Sequence, residues 1–280
     1  MKFRMILAWS LIVLAALAVI GLALYELLIA KTANSSTLVR SGLILAGLVL
    51  TSIRIISGNN ASRGKRMLAY QEAYGDLIKG AFESDLKAKK AFYSALDDFN
   101  RNNHLAAVNK LKKLYTATSS PADLFVIFTF CGIILEDVHS WQEAIRFYQM
   151  ALDYRTHKTV VINLAFCYDR GGYPDTAIDT YRWAIDLAPN DPVPNNNIAV
   201  ICLRQSKYEE ALEYAHAALR IDGNFKSALT SVAIANAMLG NQREYEDYYR
   251  RAVSHGADGE GIKDFIRKLQ SSSVDTSQGE

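Results

Sequence analysis

Two kinds of hydrophobic pattern divide the chain. Residues 5–30 are apolar apart from Ser10 and Glu26, and residues 38–56 form a second apolar run with Arg40 and Arg54 near its ends. From residue 65 onward the long runs break up, and apolar residues recur at three- and four-residue spacing, as helices with one buried face require. The first run corresponds to about 39 Å of helix at about 1.5 Å per residue, enough to cross a bilayer with some tilt. It is longer than the apolar core of a cleaved signal peptide, about 7 to 15 residues. The uncharged centre of the second run, residues 41–53, covers only about 20 Å. The run spans once Arg40 and Arg54 extend their stems to interfacial water. The pattern therefore predicts a two-helix transmembrane hairpin over residues 1–57, with spans at 5–30 and 38–56 and a short link at 31–37.

Charge sets the expected orientation. Lys2 and Arg4 precede the first span, and Arg54, Arg63, Lys65 and Arg66 follow the second; the side of a membrane that keeps the basic flanks is the cytoplasmic one. This places the chain in the cell membrane as a multi-pass protein, with everything after the hairpin in the cytoplasm. Glu26 and Arg40 come to similar depth and form a candidate pair, while Ser41, Gly42, Ala46 and Gly47 offer small side chains for close helix contact. Membrane lipid is thus one expected partner, through the hairpin. Residues 58–64 read as a linker rich in Gly and Asn. Residues 65–82 read as an amphipathic helix, with Leu68, Tyr70, Ala73, Tyr74, Leu77, Ile78, Ala81 and Phe82 on one side.

Beyond residue 83 the pattern repeats. The segment 158–191 superposes on 192–225 at a shift of thirty-four residues: Leu164 and Ala165 return as Ile198 and Ala199, and Ala177 and Ala184 return as Ala211 and Ala218. Such a period is that of a two-helix unit. The order of large and small residues resembles the tetratricopeptide repeat, with Leu164 and Ala165 in the first helix, Ala177, Tyr181 and Ala184 in the second, and Pro189 closing the unit. Small residues at Ala165 and Ala177 let the two backbones cross closely. Gly132, Ala144, Tyr148 and Ala151 mark a unit before these two, with Trp141 and Phe147 helping to fill it. Ala95 and Ala107 mark a more divergent unit formed by helices at 84–102 and 105–116. Val232, Ala233, Tyr249 and Ala252 mark a last unit, which has Tyr245 where a small residue is expected. Residues 126–135 are apolar throughout and read as a buried helix rather than a third span. Residues 261–270 read as a capping helix over the last apolar face. Residues 271–280 read as a disordered polar tail. The expected fold is all-α, a transmembrane hairpin followed by a tetratricopeptide-repeat-like α-solenoid over residues 84–270.

The totals narrow the function. With 31 basic and 29 acidic residues the net charge is +2, which offers no basic face for nucleic acid. Cys131, Cys167 and Cys202 each fall in a first helix, where a small apolar side chain packs, and lack the companions of a zinc site. No P-loop, serine elbow or paired metal-ligand motif occurs. His104, His139, His157, His216 and His255 are scattered. The expectation is a non-enzymatic protein with no catalytic or metal residues, cofactor or small-molecule substrate.

Binding remains, and the resemblance implies that a partner peptide or protein lies on the inner surface made mostly by first helices. The register puts Thr129, Ile133 and Asp137 there, then Ile162, Asn163, Phe166 and Arg170, then Asn196, Asn197, Val200 and Arg204, then Thr230 and Ile234. The residues singled out as partner-binding are Asn163, Phe166, Arg170, Asn196, Asn197 and Arg204. Asparagine both donates and accepts along a ligand backbone, and arginine grips a carboxylate with two bonds. Chaperone-binding relatives use a clamp of Lys, Asn, Asn, Lys and Arg, of which this chain matches the middle Asn alone; Ser227 and Ser231 stand where the clamp's last Lys and Arg would be. The expected role is a membrane-anchored interaction adaptor for an unidentified partner. The alternative is a structural accessory subunit held in a membrane complex through its hairpin.

Overall fold

A computed structural model describes residues 74–277, with side chains as far as Ser271. The two expected spans, the linker and the start of the amphipathic helix lie outside the described residues. Among the described residues no helix is long and apolar enough to cross a membrane.

Eleven helices follow one another from Leu86 among the described residues: α1 (Leu86–Phe99), α2 (His104–Tyr115), α3 (Pro121–Asp137), α4 (Trp141–Leu152), α5 (Lys158–Arg170), α6 (Pro174–Leu187), α7 (Pro192–Arg204), α8 (Tyr208–Ile221), α9 (Lys226–Met238), α10 (Gln242–Ser254) and α11 (Gly259–Ser277). The first ten pair into five antiparallel units, each helix packed on its neighbours in sequence. Local chemistry starts several of them. Asp85 caps α1 by accepting from the Lys87 and Ala88 amides, both at 2.8 Å, and Asp191 caps α7 by accepting from Val193 N–H. Pro121, Pro174 and Pro192 occupy first turns, where a missing N–H costs nothing.

One turn recurs between the two helices of every unit. Asn102, His139, Gly172, Ser206 and Gly240 all have positive φ. In each case the next amide bonds back five residues, from Asn103 to Asp98, Ser140 to Leu135, Tyr173 to Tyr168, Lys207 to Cys202 and Asn241 to Asn236. This is the Schellman ending of a helix, which satisfies its last carbonyls and turns the chain sharply.

Small residues sit where the paired helices meet. Ala95, Ala107, Ala144, Ala165, Ala177, Ala199 and Ala211 are all completely buried. Gly132 is tighter still: a Cβ there would lie 2.6 Å from Cε1 of Tyr148. In the last unit Tyr245 replaces the small residue and packs on Tyr249, with ring centroids 5.6 Å apart. The neighbour at that end is α11, which lays Ile262, Ile266 and Leu269 into the core.

Several expectations change; Asn196 and Ile234, placed on the open inner surface, are buried. The helix described from Tyr74 stops at Ile78 rather than Phe82, because Gly80 (φ 83°) and Phe82 (φ 56°) turn the backbone left-handed. Helix α11 runs on through residues 271–277, which were expected to form part of a disordered tail; nothing between Gly261 and Ser277 breaks a helix. Thr129, placed by the register on the open inner surface, is completely buried and donates its hydroxyl to Phe125 O at 2.7 Å.

Candidate functional site

The first helices α3, α5, α7 and α9 carry the inner face, and its residues divide by what they touch. Asn163 Nδ2 donates to Tyr148 Oη at 3.3 Å, and Asn197 Nδ2 donates to Tyr181 Oη at 3.0 Å. Each asparagine therefore ties the first helix of its unit to the second helix of the unit before. Asn196 is buried, and its Oδ1 accepts from Ser231 Oγ at 3.0 Å. These three amides serve the joints between units.

Phe166, Arg170 and Arg204 are more open. Phe166 is half-buried, edge-on to Trp141 at 6.1 Å, with the Arg170 guanidinium 5.9 Å above its ring. Trp141 stacks in turn on His139. Arg204 and Arg170 are both exposed, and Arg204 is ion-paired with Asp169 on the preceding first helix. The structure thus brings Phe166, Arg170 and Arg204 to the exposed part of one surface, with Ile162 and Val200 half-buried beside them.

A partly buried polar cluster lies behind this face. Tyr148 Oη donates to Glu136 Oε2 at 2.6 Å, and the Cys167 thiol approaches the same oxygen at 3.9 Å. Burial raises the Glu136 pKa above its ordinary value, more than the Tyr148 bond lowers it. Burial also pushes Tyr148 and Cys167 well up, Cys131 to about 12 and Cys202 to about 11. The three thiols stay protonated at neutral pH, a state that suits packing rather than nucleophilic attack or metal binding. Among the described residues no group of His, Cys, Asp and Glu is placed to hold a metal ion.

Two further features have no counterpart in the sequence reading. Residues 77–82 lie against the first turn of α3 and the turn before α5, where Asp123 accepts from Phe82 N–H and Arg155 donates to Leu77 O. The outer side has a cleft of about 560 Å³ between the second helices α8 and α10, lined by Leu212, His216, Leu219, Tyr248 and Arg251. One signal for the first was present: a helix so largely apolar needs packing on most of its sides. Arg155 itself, in an ordinary-looking turn, carried none.

No protein-family model matches the chain. Solved structures do match. A tetratricopeptide repeat protein from Parabacteroides merdae aligns over 65% of this chain and 72% of its own, with TM-score 0.57 and 19% identity. The fold is that of the tetratricopeptide-repeat proteins. MamA aligns over 60% of this chain and 91% of its own, with TM-score 0.53 and 16% identity. YrrB, described as a tetratricopeptide-repeat protein with an unusual peptide-binding site, aligns over 69% and 97%, with TM-score 0.51 and 16% identity. By sequence, a peroxisomal targeting signal receptor from Candida glabrata is 28% identical over 102 residues, 36% of this chain. The chain spans about a sixth of that receptor's length, 17%.

Proposed function

We propose that this chain is a membrane-anchored adaptor that binds a peptide or protein segment on the inner face of its solenoid. The observation that carries this reading is the set Phe166, Arg170 and Arg204, which successive first helices leave accessible while Asn163, Asn196 and Asn197 secure the joints between them. An aromatic ring with one guanidinium above it, and a second guanidinium on the next first helix, suits a segment with an apolar side chain and a carboxylate. The likeness to YrrB, a protein with a peptide-binding site, and to a targeting signal receptor supports a peptide ligand. The expected hairpin at residues 1–57 supplies the anchor. Its role is local concentration: confinement to one surface lets a weak groove act as though its partner were concentrated.

The experiment is site-specific photocrosslinking in intact cells, with the photoreactive residue at Arg170 or Arg204 and, for comparison, at Met150 or Trp183 on the second helices. A common partner captured from the first pair, and lost in the Arg170→Glu/Arg204→Glu chain by about tenfold or more, is the expected result. Capture from Met150 and Trp183 alone would move the site to the outer side. A reporter fused after Glu280 reads the side of the membrane, and a periplasmic or external signal would overturn the cytoplasmic placement.

A further inference from the structure

Part of the inner face of the first two units is closed, although Ile133 on α3 is half-buried and Asp137 exposed. Phe92 and Tyr93 of α1 and Val126, Thr129 and Phe130 of α3 are all buried, although Thr159, Ile162 and Asn163, which correspond in register to Val126, Thr129 and Phe130, are only half-buried. A short segment packs beside the buried residues. Leu77, Ile78, Ala81 and Phe82 are buried, and the Phe82 ring stacks on Phe92 with centroids 5.0 Å apart, while Phe92 meets Phe130 edge-on at 5.1 Å.

The segment is held by its backbone as well as its side chains. Asp123, in the first turn of α3, accepts from Phe82 N–H at 2.7 Å and from the Thr118 hydroxyl at 3.1 Å. Arg155, in the turn before α5, donates to Leu77 O at 2.7 Å and reaches Lys79 O at 3.5 Å, with its guanidinium 3.7 Å above the Phe125 ring. Two side chains, one in the first turn of α3 and one in the turn before α5, therefore read the polar groups of a short segment, as a groove reads a bound peptide. The segment is also strained. Phe82 has a φ of 56°, which an aromatic residue adopts only when its surroundings hold it there.

We propose that the first half of the inner face is a second peptide-binding surface, filled in cis by residues 77–82. It would take from a partner an apolar segment of the same pattern, two aliphatic residues followed after two positions by a small residue and an aromatic one. This extends the adaptor reading to a part of the face separate from Phe166, Arg170 and Arg204. A partner must displace the chain's own segment, so its apparent affinity falls by the fraction of time the surface is open.

The test uses the full purified chain in detergent and a fluorescein-labelled synthetic peptide of residues 74–84. Gly80→Val loosens the segment alone: a side chain there meets nothing within 4 Å, but the positive φ rejects a branched residue. The expected result is binding of the peptide at least about tenfold tighter to Gly80→Val than to the unaltered chain. Phe82→Ala should act in the same direction, and Phe92→Ala, which alters the surface, should abolish the gain. Excess peptide should also speed hydrogen exchange of amides 77–82 in the unaltered chain. Equal peptide binding by all chains, or no binding by Gly80→Val with its helix content intact, overturns the proposal. So does wholesale loss of helix by circular dichroism in both Gly80→Val and Phe82→Ala, which would make the segment an integral part of the core. No cellular partner enters this measurement, so its outcome is separate from that of crosslinking at Arg170 and Arg204.

Discussion

At the residue scale, two positions test how closely the units are packed. Gly132 lies in the middle of α3, where alanine would ordinarily favour the helix by about 1 kcal/mol. Here the added methyl would overlap the Tyr148 ring, which is completely buried and bonded to Glu136. Overpacking costs about 1 to 3 kcal/mol, so Gly132→Ala is expected to lower stability in urea denaturation despite its better propensity. Glu136 is the second test. Its pKa is raised above 4.5 chiefly by burial, so its charged form is less favoured in the folded chain than in the unfolded one. Stability from this group is full below pH 4.5 and is lost as pH rises through the folded value. Glu136→Gln still accepts from Tyr148 and has no charge to bury. Its stability relative to the unaltered chain should therefore improve from pH 4 to pH 8, and a constant difference would argue against a buried charge.

At the element scale, the left-handed turn within each unit is a repeated device made from different residues. Glycine fills it at Gly172 and Gly240, whereas Asn102, His139 and Ser206 adopt the same conformation against a steric cost. Ser206 is exposed, so Ser206→Gly is expected to stabilise the chain by roughly 0.5 to 1 kcal/mol, read as a higher denaturation midpoint at unchanged slope. The helices themselves were largely legible. Alanines at Ala165, Ala177, Ala199 and Ala211 announced where paired backbones cross, since only small side chains allow it. The turns were less so, because His139 and Ser206 carry no signal for a positive φ; the Schellman bonds that hold them form only once both flanking helices exist.

At the scale of the whole molecule, a stack of units has two ends that must be closed. Helix α11 closes one with Ile262, Ile266 and Leu269. Burying three aliphatic side chains is worth about 1.5 to 3 kcal/mol each. A chain ending at Ala257 is therefore expected to lose several kcal/mol and to self-associate through the bared face of α9 and α10. Size-exclusion chromatography with light scattering checks this, and a stable monomer would show that the cap is dispensable. Residues 77–82 lie toward the other end, against Phe92 and the first turn of α3. This end is the least legible in the sequence: the repeat register puts Thr129 on the open surface, and nothing marks Asp123 or Arg155.

The sequence by itself determined the repeat, its period and which small residues lie between paired helices, because close backbone approach restricts side-chain size position by position. It also determined that residues 126–135 belong to a largely buried helix, since a run so apolar is poorly tolerated facing water. The tertiary structure alone decided which residues of the inner face remain accessible. Asn163 and Asn197 find their tyrosines, Arg204 finds Asp169 and Arg155 finds the Leu77 carbonyl only after the units are stacked. A hydrogen bond depends on where both partners come to rest, and a periodic pattern specifies one helix face at a time.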